Sequence, residues 1–170
     1  MKKTLLFLLL LTSSLSFAQD RNWAVGFRAG EPLGFNIRKY IGYSHAFDLN
    51  MGTYGFLYRK NVPYKKGTYK STGISVQGHY HWTKSIDKQD RFWVYYGFGG
   101  QINSRVHRDK NSMVASKISL GPSGAAGIEY FRPEDKLSFF LDTGLYLEAI
   151  PSPLFWNPSI AAGLRVNLRK

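Results

Sequence analysis

The chain contains no cysteine among its 170 residues. Disulfides and thiolate-ligated metal sites both need cysteine, so the sequence excludes a disulfide framework and any metal held by thiolates. A lipid-modified cysteine is also excluded as a membrane anchor. Whatever attaches this protein to a membrane must therefore be its own fold.

Long apolar segments are also scarce. The longest, Leu5 to Leu11, is far short of the roughly 20 residues that a spanning helix needs. It follows Met1-Lys2-Lys3 and is followed by Ser16-Phe17-Ala18, and these are the parts of a Sec-type signal: a positive start, a short apolar core and a small-x-small end. We predict a signal peptide over residues 1–18 and one exported domain over residues 19–170.

Acidic residues are few. The 23 lysines and arginines outnumber 11 acidic residues, giving a net charge of +12, which loss of Lys2 and Lys3 with the signal lowers by two to +10. Basic proteins often bind nucleic acid, but no nucleic-acid-binding motif is present. An exported basic protein meets lipid phosphates or anionic polysaccharides instead. We therefore predict no nucleic-acid partner.

What the mature chain does contain is alternation of apolar residues with small or polar ones, the period of a β-strand. Eight segments follow it, with first apolar residues Trp23, Leu33, Phe47, Ile74, Phe92, Leu120, Leu137 and Ile160. Most are long enough for the roughly 9–11 residues of a tilted transmembrane strand.

Each segment has an apolar face and a second face formed by the alternate residues. This second face is rich in glycine, alanine and serine, with few charges. A surface in water would normally carry long charged side chains, whereas the interior of an eight-stranded barrel has room only for a close filling of side chains. The apolar face then suits lipid, where an open sheet would leave its edge groups unpaired. We predict an all-β fold, an eight-stranded antiparallel transmembrane β-barrel with a filled polar lumen.

The second face places nine ionisable residues in the predicted lumen. They are Arg28, Arg38, Asp48, His79, His81, Glu129, Asp142, Glu148 and Arg165. Buried charges must be paired, so we expect structural salt bridges rather than an acid–base site or a pore. His79 and His81 share a face and could bind a metal, but no third ligand stands at a recognisable spacing. We predict no catalytic residue, no metal and no cofactor.

The two longest connections, Arg59 to Ser71 and Arg105 to Lys117, fall at one end of the barrel and are predicted to be external loops. They carry eight of the ten net charges of the mature chain. The basic residues are Arg59, Lys60, Lys65, Lys66 and Lys70 in one loop, and Arg105, Arg108, Lys110 and Lys117 in the other. These residues either keep the loops soluble or contact phosphates of lipopolysaccharide and other anionic polymers.

The signal peptide and glycine-spaced strands resemble the small outer-membrane β-barrel proteins of the OmpA and OmpX type. Gly121 to Tyr130 looks like a strand of the porin-like small barrels, and Gly163 to Leu168 resembles the terminal strand signal read by the barrel-assembly machinery. The resemblance implies the bacterial outer membrane as location. It also implies the barrel-assembly machinery as a partner during biogenesis. Membrane lipid and lipopolysaccharide are the other partners that we predict, and we predict a monomer.

The leading hypothesis is a non-enzymatic outer-membrane barrel with a structural or surface-interaction role. One alternative is a barrel enzyme that modifies lipid A, although the His-x-Ser pair expected of a deacylase is missing. Another is a soluble periplasmic barrel that binds an apolar ligand and so turns its apolar face inward. The direction of Leu49, Val94 and Leu141 distinguishes the membrane barrel from the soluble one.

Overall fold

The computed structural model describes residues 22–55, 63–64, 67–69, 73–108, 114–132, 136–150 and 153–168. Its strands are β1 (Trp23–Gly30), β2 (Leu33–Ile41), β3 (His45–Tyr54), β4 (Pro63–Tyr64), β5 (Gly67–Tyr69), β6 (Gly73–Ser85), β7 (Phe92–Arg108), β8 (Val114–Arg132), β9 (Leu137–Glu148) and β10 (Phe155–Leu168). The signal peptide lies outside the described residues and stays a prediction. No helix long and apolar enough to cross a membrane occurs in the described segments.

Eight of these strands form a closed antiparallel ring in the order β1-β2-β3-β6-β7-β8-β9-β10. The first and last strands of the chain join along their length, with Trp23 opposite Leu168 and Gly30 opposite Ala161. Every strand of the ring therefore has two neighbours, which removes the open edges of a sheet from the barrel wall. The predicted eight-stranded antiparallel barrel is confirmed.

The two ends of the barrel differ. The tight connections β2–β3, β6–β7 and β8–β9 lie at one end with both termini, which we call the turn end. At the other, the loop end, β7 and β8 continue as a paired ribbon as far as Arg108 opposite Val114. The short β4–β5 hairpin joins this ribbon, with Thr68 opposite Arg108.

This ribbon corrects the predicted loop from Arg105 to Lys117. Arg105 and Arg108 belong to β7, Lys117 belongs to β8, and Arg105 stands directly opposite Lys117 in the ladder. The apolar alternation fades after Ile102 although the ladder continues to Arg108, because backbone pairing does not itself require an apolar face. Periodicity alone therefore placed the end of the strand too early.

Side-chain directions follow the predicted faces. Leu141 is 47% exposed on the outer surface, whereas its neighbours Phe140 and Asp142 are buried in the lumen. Leu49 likewise lies between buried Asp48 and Asn50. This outward direction of the apolar face contradicts the alternative of a soluble barrel with an apolar interior.

The lumen is not wholly polar. Aromatic rings from Tyr95, Phe131, Phe140 and Tyr146 are also buried there. Glycine makes room where strands approach each other closely: a Cβ at Gly99 would overlap the carbonyl oxygen of Gly78 on β6. A narrow barrel therefore depends on glycine at such inward positions.

Candidate functional site

Four charged side chains meet in the middle of the lumen. Arg38 on β2 donates to both carboxylate oxygens of Asp48, at 2.5 and 2.7 Å, and to Glu129 at 2.5 Å. Arg165 on β10 lies 3.3 Å from Asp48 and 3.4 Å from Glu129. All four residues are at most 2% exposed. Each charge therefore has two neighbours of opposite sign, which is what charges removed from water require.

These ion pairs cross the barrel. β2 and β8 stand on opposite sides of the ring, so the bond from Arg38 to Glu129 spans the lumen. The guanidinium of Arg38 also lies 4.2 Å from the ring centre of Tyr95, and that of Arg165 lies 3.7 Å from that of Phe140. Charged and aromatic side chains from facing walls thus fill the middle of the barrel.

A second ion pair ties three further strands together. Arg28 on β1 donates to Asp142 on β9 at 2.7 Å, and to the backbone carbonyl of Glu31 at 3.1 Å. The Tyr95 hydroxyl on β7 donates to the same Asp142 oxygen at 3.1 Å. Asp142 therefore accepts from two walls of the barrel.

A row of amide side chains continues the polar filling. Asn36, Asn50, Gln77 and Gln101 are register partners on β2, β3, β6 and β7. Their amides bond in sequence at 2.7, 3.5 and 2.6 Å, and Arg165 donates to the first of them. An amide both donates and accepts, so it extends such a chain without adding charge. Sequence analysis missed the row because the register between strands is not visible in the sequence.

The two histidines are packed as part of this filling. Their rings stack on each other at 5.6 Å between centroids, and His81 also stacks on Tyr95 at 5.1 Å. His81 Nδ1 lies 3.7 Å from Asp48, and His79 Nε2 lies 2.7 Å from the Ser123 hydroxyl. Within the described segments, no three histidine, aspartate or glutamate side chains come together as metal ligands.

The contact of Ser123 with His79 is a serine beside a possible base, which sequence analysis did not pair. The residues lie 44 positions apart on β8 and β6. Ser123 is only 6% exposed. Its register partners Gly99 and Tyr146 continue the β-ladders on both sides, so their N–H groups belong to the ladders rather than to an oxyanion hole. The pair has the geometry of a structural hydrogen bond.

All nine residues predicted for the lumen are buried there, none more than 4% exposed. Eight of them belong to the contacts above. Glu148 lies apart from the central four, at the loop end of β9, where it is fully buried opposite Phe155. The arrangement can hold strands together, and no position in it brings a reactive group to an accessible surface.

Comparisons with known proteins concern the fold. No protein-family model and no curated protein matches the chain. The crystal structure of Neisserial surface protein A (NspA) aligns with a TM-score of 0.52 at 16% identity, covering 86% of this chain and 94% of that one. Ail, the attachment invasion locus protein of Yersinia pestis, aligns at 0.50 and 12%, covering 86% and 96%.

The chain has the fold of the small eight-stranded outer-membrane barrels. Identities of this size carry the architecture and nothing about ligands or activity.

Aromatic side chains gather on the outer surface near the turn end. The Trp82 ring lies within 5.6 to 5.8 Å of the rings of Tyr80, Tyr96 and Phe98. Phe92 packs against Tyr130 at 4.8 Å. Rings with one apolar and one polar edge suit the boundary between lipid and water.

Most of the predicted basic residues at the loop end lie outside the described segments: Arg59, Lys60, Lys65, Lys66, Lys70 and Lys110. The backbone of the described residues nevertheless brings their two segments together. β5 pairs with the ribbon where Tyr69 stands opposite His107 and Thr68 opposite Arg108, so residues 68–69 run beside residues 107–108. Two basic segments that are distant in sequence thus share one end of the barrel.

Proposed function

We propose that this chain is an integral outer-membrane protein with a surface-interaction role and no enzymatic activity. In this proposal its loop end faces the cell exterior and contacts the phosphates of lipopolysaccharide. The observation that carries the membrane location is the inverted distribution of polarity, with charges inside the barrel and large apolar side chains outside.

The outer surface is apolar and about as tall as the hydrocarbon core of a bilayer. Phe35, Phe98 and Ile160 are 70%, 64% and 59% exposed. The outward face of β8 runs over thirteen residues from Ile118 to Tyr130, which are twelve residue steps. At about 3.3 Å per residue and a tilt of about 40°, that is roughly 30 Å along the barrel axis, close to the hydrocarbon thickness of a bilayer. In water, so continuous an apolar surface would cause aggregation.

Orientation follows from the connections. In outer-membrane barrels the short turns and both termini face the periplasm, and the long connections face outward. The chain between β3 and β6 and the β7–β8 ribbon, which hold the nine basic residues, would then stand outside the cell. The same proposal includes three further points. The barrel-assembly machinery is a partner during biogenesis, membrane lipid surrounds the barrel, and the protein is a monomer.

Introduced cysteines can test this orientation, because the natural chain has none. Lys110→Cys should react with a membrane-impermeant maleimide in intact cells, and Lys88→Cys, in the β6–β7 turn, only after lysis. Labelling of Lys88→Cys alone in intact cells would reverse the orientation and contradict the proposal.

Electrostatics supports the lipopolysaccharide contact. Residues 59–70 hold five cations, and residues 105–117 hold four cations against one aspartate. Attraction to phosphates is strongest where several like charges share one surface, and salt weakens it. The proteins of similar fold are a Neisserial surface protein and the attachment invasion locus protein of Yersinia pestis, and a surface role for this chain would accord with both names.

A charge-matched pair of variants tests the contact. One variant changes Arg59, Lys60, Lys65, Lys66 and Lys70 to glutamine. The control changes five exposed cations at the turn end to glutamine: Lys84, Lys88, Arg91, Arg132 and Lys136. In binding of the folded protein to immobilised lipopolysaccharide, the first variant should lose about tenfold or more in affinity at low salt, the control much less. Equal binding by both variants would contradict the proposed contact.

A further inference from the structure

We propose that this barrel thins the membrane on one side. Lipid of the outer leaflet is drawn toward the turn end along β1 and β2, where the apolar wall is about 10 Å shorter than along β8 and β10. This thinning rests on the membrane location proposed above and goes beyond it. It gives the bilayer a local shape and gives one side of the barrel a preference for lipids with shorter acyl chains.

The register of the ladders sets the tilt of the strands. A path that starts at Trp23 and moves from partner to partner around the ring ends at Pro158 on β10. It passes through Lys39, Phe47, Tyr80, Phe98, Gly124 and Leu145. Trp23 itself stands opposite Leu168, so the path has climbed ten residues toward the loop end in one circuit. Ten residues are about 33 Å along a strand and eight strands are about 38 Å across, which gives a tilt of about 40° and an axial rise of about 2.5 Å per residue.

Positions on different strands can then be compared at one level of the barrel. The path climbs by one eighth of ten residues, about 1.25 residues, at each strand. Subtracting this climb puts Tyr40 of β2, Tyr130 of β8 and Asn167 of β10 at the level of Trp23. The outer surface is aromatic there at Trp23 and Tyr130, and Arg132 is exposed just below. This level therefore marks the lower edge of the apolar wall.

From this level the wall rises to different heights. On β1 and β2 it ends at the tight turn after Gly30, seven residues above Trp23, which is about 18 Å. On β8 the apolar face continues to Ile118, about 30 Å above Tyr130. On β10 it continues to Trp156, about 27 Å above the same level. The low wall lies wholly within the described residues 22–55, so its height is fixed by them alone.

The turn between β1 and β2 is fastened to the rim of the barrel. The Glu31 N–H donates to the Ile160 carbonyl at 3.2 Å, and Arg28 donates to the Glu31 carbonyl at 3.1 Å. The Glu31 carboxylate accepts from the Gly55 N–H at 2.8 Å. Glu31 is 1% exposed, and Pro32 is buried beside it. Because these bonds hold the turn against the barrel, the low wall cannot extend to meet a thicker bilayer.

The low wall is apolar up to its rim. Phe27 and Phe35 are 51% and 70% exposed, and their rings meet edge to face at 6.2 Å. Between Leu33 at the rim and exposed Lys39 below, six residues give only about 15 Å of height. The apolar band of outer-membrane barrels is about 25 Å tall. A bilayer meets a shorter apolar surface by becoming thinner beside it, and the lipids that fit there have shorter chains.

Tilting of the whole barrel is the other way to bring the low rim to the membrane surface. A tilt that raised this rim by about 10 Å would draw Lys39, on the same wall, into the hydrocarbon, where an ammonium is costly. Thinning leaves Lys39 at the lower interface, where its ammonium lies 5.2 Å from the Trp23 ring. The position of this cation therefore favours thinning over tilt.

Spin labels at matched levels can test the thinning, because the natural chain has no cysteine. Leu33→Cys on β2 and Leu145→Cys on β9 place labels on the low and the high wall at the same level above Trp23. In vesicles of dioleoylphosphatidylcholine, accessibility to a water-soluble nickel chelate relative to oxygen reports the depth of each label. The label at Leu33 should be several-fold more accessible to nickel and lie about 10 Å nearer the water. Heat-modifiable migration on a gel reports whether each variant is folded.

Two further pairs of labels complete the test. Phe35→Cys and Thr143→Cys lie two residues lower on the same walls and should show the same order, also if Leu33→Cys does not fold. Ile41→Cys and Leu137→Cys lie level with each other at the turn end and should be equally deep. In vesicles of dilauroylphosphatidylcholine, whose hydrocarbon is thinner, the first pair should approach one depth, because less thinning is needed.

Four results would overturn the proposal. Equal depths at Leu33 and Leu145 in dioleoylphosphatidylcholine would mean a flat bilayer. A label at Ile41 about 10 Å deeper than one at Leu137 would assign the difference to tilt. Shielding of the label at Leu33 from both nickel and oxygen would mean that protein, such as a second copy of this chain, covers the low wall. A label at Leu145 as accessible to nickel as in the urea-unfolded chain would refute the membrane location itself, which is distinct from a flat bilayer.

Discussion

Removing Arg38 tests whether the central four charges hold the barrel together. Its guanidinium makes three bonds of 2.5 to 2.7 Å to Asp48 and Glu129 and is fully buried. Arg38→Ala would leave both carboxylates to Arg165, which lies 3.3 and 3.4 Å from them. One negative charge would then be uncompensated in the middle of the barrel.

The magnitude follows from these contacts. Hydrogen bonds to charged groups contribute roughly 1.5–3 kcal/mol each, so three lost without replacement would cost about 5–9 kcal/mol. Arg165 can move toward both carboxylates and recover part of this. Breaking a buried ion pair by removing one partner costs about 3–5 kcal/mol, and we expect the free energy of unfolding to fall by that amount. Adding Glu129→Gln restores the charge balance and should regain about 1 kcal/mol or more.

The measurement is urea unfolding of the folded protein in lipid vesicles, followed by tryptophan fluorescence and by gel migration without heating. Lys39→Ala is the control, because Lys39 is the next residue and is exposed on the outer face, where its ammonium lies 5.2 Å from the Trp23 ring. It should cost less than about 1 kcal/mol. If Arg38→Ala loses no more stability than Lys39→Ala, the central charges do not hold the barrel.

Three further predictions concern the wall and the lumen. Gly99→Ala should destabilise the barrel by about 1–3 kcal/mol or prevent folding, because the new Cβ would overlap the Gly78 carbonyl; wild-type stability in urea unfolding would contradict this. Leu141→Arg should lower the free energy of unfolding in vesicles by about 2–4 kcal/mol because it puts a charge on the lipid face, and an unchanged value would remove that face from lipid. Planar bilayers with the purified protein should show no steady ion conductance, since side chains from facing walls fill the lumen; a stable open level would refute the filled interior.

The faces of the strands could be predicted because alternation is a local property. Leu141 and Asp142 are neighbours in sequence and fall on opposite sides of the wall, as the period of two requires. The same rule placed Arg38 and Arg165 inside without any knowledge of their partners. The closed ring then followed from the exclusion of open edges in hydrocarbon.

The contacts inside the lumen could not be predicted in the same way. Arg38 and Glu129 lie 91 residues apart on opposite strands, and His79 and Ser123 lie 44 apart. Whether such side chains meet depends on the register of every strand pair between them, which is a property of the whole ring. Sequence could therefore state that the charges are paired but not which charge pairs with which.

In the ribbon of β7 and β8, the alternation of apolar residues ends before the strands do. The polar composition of Arg105 to Arg108 predicts a loop, yet these residues continue a regular ladder. Apolar alternation reports the environment of a strand and not its backbone pairing, so it can end before the ladder does. Hydrogen-bonded strands can extend well past that point.

The ribbon should be separable from the barrel. Arg105 and Lys117 are register partners, so replacing residues 106–116 by an Asn-Gly turn keeps every pair of the ladder below them in place. The deletion removes the β5–β7 pairing but no contact of the central charges. We expect the free energy of unfolding in vesicles to change by less than about 1 kcal/mol, because the central ion pairs and the eight-strand ring remain. A trimmed barrel that fails to fold would mean that the ribbon is part of the structure that closes the barrel, rather than a surface carried by it.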